Sequence, residues 1–333
     1  MKIRENVRLA ELTTMRLGGE VRYVIDVESL DDVREAYEFA EERGLRTYVL
    51  GGGSNVIGRD EGFDGVILMN KLRGIEDLNE GRFRGQSGEL LDDFVAFVTE
   101  RGYSGMEALS AVPGTLGAAP IQNVGAYGQD MAEILEAVEA YDPRDRNVVN
   151  FTTYEMGLGY RKSIFNSGAE AGRYFVVSVT VKLSLGELRP PFYTSLQQYV
   201  DDHGVTDFSP ASIRRMVKEI RDNKLPNPDE IASAGSFFKN VYLRLEDVEA
   251  AEAKGIPVWD GGKVPAGWLV ENAGLKGKEF YGFRVSDKAA LILINESATS
   301  YADLEKARQA IVEAVQEKFG LTLEQEPVEI SSD

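Results

Sequence analysis

Sixteen residues constrain this chain more than any others. Pro113–Gly128 reads PGTLGAAPIQNVGAYG, with four glycines, two prolines and only Gln122, Asn123 and Tyr127 as large polar side chains. Such a stretch has too little apolar surface to build a core of its own. It is either a plain loop or a bare-backbone surface for a flat or phosphorylated ligand, since glycine removes the Cβ and opens positive φ. The residues of the stretch alone leave both readings open.

A second glycine run lies upstream. Val21–Val27 (VRYVIDV) predicts a strand. Ser29, with Asp32 three residues on and a Val33, Tyr37, Ala40 stripe, predicts a capped helix that Gly44 ends. RTYVL (46–50) predicts a buried strand entering Gly51-Gly52-Gly53-Ser54-Asn55. A glycine turn at the end of a strand is where α/β folds bind phosphates. The turn does not match the dinucleotide fingerprint, because Val56 stands where the third glycine belongs and DEGFDGVIL predicts a turn and another strand. A nicotinamide site of the Rossmann type is therefore not indicated.

From Phe63 to about Leu185 the pattern is α+β. Strands are predicted at 66–69, 82–86, 137–141 and 175–183, and a helix at 88–101 with Leu91, Val95 and Val98 on one face. Residues 186–208, with Pro190-Pro191 and aromatics at 192, 193 and 199, carry little periodic signal and read as a crossing or lid segment. Ser209-Pro210 predicts the start of a helix that runs to about Lys224. The remainder, to about Gly320, reads as a separate unit that ends in a long helix, 300–319, with Leu304, Ala307, Ile311, Val315 and Phe319 in register.

Composition excludes several chemistries. There is no cysteine, hence no disulfide and no thiolate metal site, and the single histidine, His203, sits in a polar stretch that reads as a loop. No metal site is expected. A formal charge of −18 argues against nucleic acid or an anionic membrane as a partner. MKIRENVRLAEL lacks the apolar core of a signal peptide, and no apolar run is long enough to span a bilayer, so a cytoplasmic protein is expected.

Four other places break the ordinary alternation of core and surface. Tyr160-Arg161-Lys162 sets two cations beside an aromatic, in a surface turn or a binding site. Ser236, between Gly235 and two phenylalanines, is a core hydroxyl, a nucleophile or a proton donor; it is not in the G-x-S-x-G pattern of hydrolases. Lys224 ends a helix, where the dipole favours a cation in any case. Glu324 and Glu326 lie in LTLEQEPVEI.

In order and spacing these features resemble one family. TTMRLGG (13–19), LGGGSNVI (50–57), PGTLGAAPIQNVGAYG (113–128), YRKSIF (160–165), KLPNP (224–228), AGSFFKN (234–240) and AGWLVENAGLKG (266–277) are each similar to a motif of the UDP-N-acetylenolpyruvoylglucosamine reductases. These are flavoenzymes that make UDP-N-acetylmuramate for bacterial peptidoglycan. The resemblance implies an α+β fold, with a two-part FAD-binding region of the para-cresol methylhydroxylase / vanillyl-alcohol oxidase type and then a C-terminal α+β substrate-binding domain. It implies FAD-binding subdomains at 1–65 and 66–186, a Tyr-bearing lid at 187–224 like that of the family's first type, and a substrate domain at 225–322. The tail 323–333 could pack back on the first subdomain.

The resemblance further implies noncovalent FAD, NADPH as reductant and a monomer acting on small molecules. FAD would be held by Gly51, Gly52, Gly53, Ser54 and Asn55, and by Pro113, Gly114, Thr115, Gly117, Ala118, Gln122, Asn123, Gly125 and Ala126. NADPH would reduce the flavin, hydride would pass to C3 of the enolpyruvyl group, and a proton would be added at C2. Arg161 would take the substrate carboxylate, Ser236 would supply the proton and Glu326 would polarise the enolate side. Tyr160, Tyr193, Lys224 and Asn240 would bind substrate with Arg161 and Ser236. The family usually ends Leu-Glu-Pro-Glu-Val, whereas here Pro327 follows the second glutamate. Glu324 therefore stays an alternative to Glu326.

Overall fold

The computed structural model describes residues 1–228 and 230–332. By internal packing the chain divides into two units, each drawn from several segments. The first holds Met1–Asn6, Arg22–Gly52 and Asp64–Asn223. The second holds Val7–Val21, Gly53–Phe63 and the chain from Lys224 onward.

The first unit opens on a sheet ordered Lys2–Arg8, Glu20–Val27, Phe63–Asn70, Arg46–Leu50, the last two strands running parallel. Helix α1 (Leu30–Glu42) covers it with Val33, Ala36 and Ala40, packed on Ile25, Val27, Val66 and Leu68. The predicted cap is present in both directions: Ser29 accepts from the Asp32 N–H, and the Asp32 carboxylate accepts from the Ser29 N–H. A second, antiparallel sheet has the order Asn147–Thr152, Leu135–Asp142, Phe175–Lys182, Arg82–Gln86, Ile75–Asp77. Helix α2 (Leu91–Thr99) lays Phe94, Val95 and Val98 into the core with Phe83, Val179 and Val181.

Two expectations change here. The predicted helix 88–101 is shorter, because Glu89 and Leu90 are spent on pairing: Glu89 accepts from the Leu116 N–H, and Leu90 bridges Thr115. The stretch 186–208 is not irregular throughout, since it contains helix α3 (Thr194–His203). Helix α4 (Pro210–Lys224) follows, and the Ser209 hydroxyl accepts from the Ser212 N–H as its N-cap. The two helices share a small core of Leu196, Val200, Ile213, Met216, Val217 and Ile220, against which Tyr127 packs.

The second unit contains an antiparallel sheet ordered Ser233–Ser236, Ile292–Asn295, Phe283–Val285, Glu279–Phe280. Helices α5 (Leu245–Ala253), α6 (Ala266–Asn272) and α7 (Tyr301–Phe319) belong to it. Helix α7 keeps the predicted face: Leu304, Ala307, Ile311 and Val315 are buried with Phe237, Phe283, Met15, Leu17 and Ile57. Ser300 caps its start and Gly320 ends it with φ 73°. Val328–Ile330 pairs in parallel with Val56–Gly58, and Arg59 and Arg308 ion-pair with Glu329. Among the described residues no helix is long and apolar enough to cross a membrane.

Candidate active site

In the first unit the two glycine runs meet. A Cβ on Gly51 would lie 2.4 Å from Thr115 Oγ1, and one on Gly52 would lie 3.0 Å from the Gly114 Cα. Gly51 therefore lies under the Thr115 side chain and Gly52 against the Gly114 backbone, approaches that side chains at these positions would prevent. The 113–118 loop is fastened along one edge. The Leu91 N–H donates to the Gly114 carbonyl (3.1 Å), Leu116 N–H to Glu89 (2.8 Å) and Gly117 N–H to Ser87 (2.8 Å). A Cβ on Gly117 would stand 2.4 Å from Ser87 Cβ and 2.9 Å from its carbonyl oxygen. Gly117→Ala should thus push the loop off Ser87 and cost about 1–3 kcal/mol of stability. Thermal unfolding reads this, and an unchanged melting temperature would show that the loop yields without strain.

The far half of the stretch carries Arg161. Asn123 is buried in the left-handed region (φ 42°); its side-chain N–H donates to the Gly159 carbonyl, and its Oδ1 accepts from the Ala132 N–H. Gly159 and Lys162 exchange backbone hydrogen bonds, and Arg161 between them has φ 53°. The turn aims the guanidinium at the Asn123 and Gly125 carbonyls, 3.5 and 3.4 Å away, beside the Tyr160 ring at 5.4 Å. Carbonyl oxygens orient a cation, and two of them fix where this guanidinium points. Tyr193, at the start of α3, meets Tyr127 edge to face at 5.9 Å. Burial pushes both phenols up from their ordinary pKa.

Gly53, Ser54 and Asn55 count with the second unit. Gly53 has φ 67° and leaves no room for a Cβ, which would stand 2.1 Å from the Leu12 carbonyl oxygen. Its own carbonyl accepts from the Thr14 N–H, and the Asn55 carbonyl from the Val328 N–H.

Ser236 stands at a bulge. Ser233 pairs with Ile294 and Ser236 with Ile292, so one extra residue is inserted, and Gly235 takes φ 68° to accommodate it. Bulges re-aim side chains, and here the re-aimed residue is Ser236. The segment 324–326 runs antiparallel alongside: Phe238 bridges Gln325, the Lys239 N–H donates to the Glu324 carbonyl, and the Glu326 N–H donates to the Phe237 carbonyl (2.9 Å). The Glu324 carboxylate is exposed and ion-paired with Lys239, whereas Glu326 is half-buried beside the residue that follows Ser236. The Asn240 side chain accepts from the Ala266 N–H at the start of α6. Lys224 is exposed at the end of α4.

The arrangement missed by sequence reasoning is around Asp92. Its carboxylate is bound by Arg214 on both oxygens, by Lys218 at 3.4 Å and by the Ala111 N–H at 2.6 Å. Burial would raise its pKa, but the Arg214 hydrogen bonds, the Ala111 N–H and the two cations outweigh that and bring it to about 2. An aspartate in the first turn of a helix is common, so nothing in the sequence marked it.

Comparison with known proteins adds the family. A profile of the FAD-binding domain matches residues 21–151, and one of the UDP-N-acetylenolpyruvoylglucosamine reductase C-terminal domain matches 227–330. The UDP-N-acetylenolpyruvoylglucosamine reductase of Pseudomonas aeruginosa is 32% identical over 98% of both chains. The chain belongs to the UDP-N-acetylenolpyruvoylglucosamine reductase family. The reductase of Alcanivorax borkumensis is 36% identical over 97% of this chain and 95% of its own. The crystal structure of the reductase from Thermus caldophilus superposes with a TM-score of 0.70 at 26% identity, over 99% of this chain and 100% of that one. The expected fold class is borne out: an FAD-binding region of the para-cresol methylhydroxylase type precedes a C-terminal reductase domain. The residues fit FAD, since both glycine loops present bare backbone and the matched FAD-binding region contains them.

Proposed function

We propose that this chain reduces UDP-N-acetylglucosamine enolpyruvate to UDP-N-acetylmuramate, as an FAD-containing oxidoreductase that uses NADPH. The observation that carries this reading is the end-to-end match to reductases of that name, 32–36% identical over nearly the whole chain. The substrates are small molecules. The chain acts as a monomer in the cytoplasm, with 187–224 as a lid and 225–322 as the substrate domain.

Bound FAD, reduced by NADPH, supplies the hydride that adds to C3 of the enolpyruvyl group. The new electron pair then lies on C2 and the neighbouring carboxylate. Arg161 binds that carboxylate, and the Asn123 and Gly125 carbonyls hold the guanidinium in place for it. Ser236 Oγ–H gives its proton to C2, completing addition across the double bond, and the oxygen is reprotonated from solvent. A serine hydroxyl is a weak acid, and it serves here because the enolate is strongly basic and the bulge fixes the donor. Glu326 polarises the enolate side. Tyr160, Tyr193 and Asn240 orient the substrate, and Lys224 meets its diphosphate.

The deciding experiment separates two half-reactions. Under anaerobic conditions NADPH should bleach the bound flavin, and UDP-N-acetylglucosamine enolpyruvate should restore its colour. A flavin that is reduced but not reoxidised would mean a different dehydrogenase on the same fold. A flavin inert to NADPH would mean a binding protein without turnover.

A further inference from the structure

Ala111 is held in an unfavourable conformation by groups far from it in sequence. It has φ 55°, a region that costs a residue with a Cβ, and it lies two residues before Pro113. Side chains grip its peptide groups on both sides. The N–H donates to Asp92 Oδ1 at 2.6 Å, and the carbonyl accepts from Arg221 Nε at 3.2 Å. Tyr127, one residue past Ala126, packs against the core that α3 and α4 share. Asp92 in turn is clasped by Arg214 and Lys218. Arg214, Lys218 and Arg221 recur at helical spacing on α4, so one face of that helix holds Asp92 and Ala111 at the start of the glycine stretch.

Asp92 also adjoins Leu91, whose N–H already fixes Gly114. Consecutive residues of α2 thus anchor the loop at two points three residues apart. A solvent-facing aspartate would stabilise the start of α2 equally well. Turning the carboxylate onto Ala111 and two cations of α4 achieves something else.

We propose that Asp92 is a positioning residue for the cofactor loop: it holds Ala111 left-handed and is itself held by Arg214 and Lys218, so the seating of α4 sets the geometry of 111–118. This rests on the reading of 113–126 as the FAD-binding stretch.

The test uses the full-length FAD-loaded protein and follows FAD release by flavin fluorescence. Asp92→Ala should raise the FAD dissociation constant about tenfold, the usual worth of a hydrogen bond to a charged acceptor. Glycine occupies φ near 55° without strain, so Ala111→Gly makes the Asp92 grip less necessary. In the Ala111→Gly background, Asp92→Ala should therefore weaken FAD only about threefold or less. Equal loss in both backgrounds would overturn the proposal. So would an unchanged FAD affinity with a lowered melting temperature, the mark of a purely structural staple. Arg214→Met leaves the Asp92–Ala111 bond intact and should weaken FAD about threefold with an unchanged far-UV spectrum; unchanged FAD affinity there would overturn the link to α4. A wild-type protein that retains no FAD would instead defeat the underlying functional reading, and this inference with it.

Discussion

Ser236→Ala should leave flavin reduction by NADPH at its wild-type rate and slow reoxidation by the enolpyruvyl substrate roughly 10³-fold, within the usual span of positioned general acids. The asymmetry follows from where the hydroxyl stands. The backbone of Ser236 is fixed by its pairing with Ile292, and that of Phe237 by a hydrogen bond to the Leu291 carbonyl. Neither uses the side chain, so deleting Oγ removes a proton donor and leaves the strand in place. Stopped-flow absorbance under anaerobic conditions resolves the two halves separately. Equal slowing of both would mean that Ser236 shapes the site and is not the acid at C2.

The second large effect distinguishes two glutamates. Glu326→Gln should slow reoxidation about 10²-fold, and Glu324→Gln should change it by less than about twofold, as befits a surface ion pair. Glu324 is turned outward to Lys239. Glu326 is tied by its backbone to the carbonyl of Phe237, next to the proposed acid. Glutamine keeps the shape and removes the charge or the exchangeable proton, so the comparison isolates the carboxyl group. The opposite order of effects would place the catalytic carboxylate at 324 and give the displaced Pro327 a functional consequence.

Local signals in this sequence are reliable where one short-range force dominates. Ser29 with Asp32, Ser209 with Pro210, and Ser300 with Gly320 mark helix ends by hydrogen bonds that span three or four residues, and those ends are where they were expected. Helix α3 was not legible because its sequence, TSLQQYVDDH, buries only Leu196 and Val200, and its N-cap Tyr193 makes no side-chain capping bond. Helix α5 buries only Ala251. The glycine stretches were legible as candidates, but their mutual contact is a tertiary fact, between residues about 60 apart. Ala111 gave no warning at all, since alanine is an ordinary helix former and its left-handed φ is imposed from Asp92. The pairing of 324–326 with 237–239 was equally hidden, and it is what distinguishes the two glutamates.

The parallel pairing of Val56–Gly58 with Val328–Ile330 has a consequence for synthesis. The early strand must wait for a partner encoded about 270 residues later, on the order of tens of seconds at ordinary translation rates. Meanwhile Met15, Leu17 and Ile57, core residues of the second unit, have no core to enter, because the helices and sheet that bury them all follow Lys224. Every segment of the first unit is made by Asn223, so that unit can fold on the ribosome around these waiting residues. The nascent chain therefore carries these apolar side chains uncovered until the segment after Lys224 is made. A chain broken before Val328 leaves that early strand unmatched.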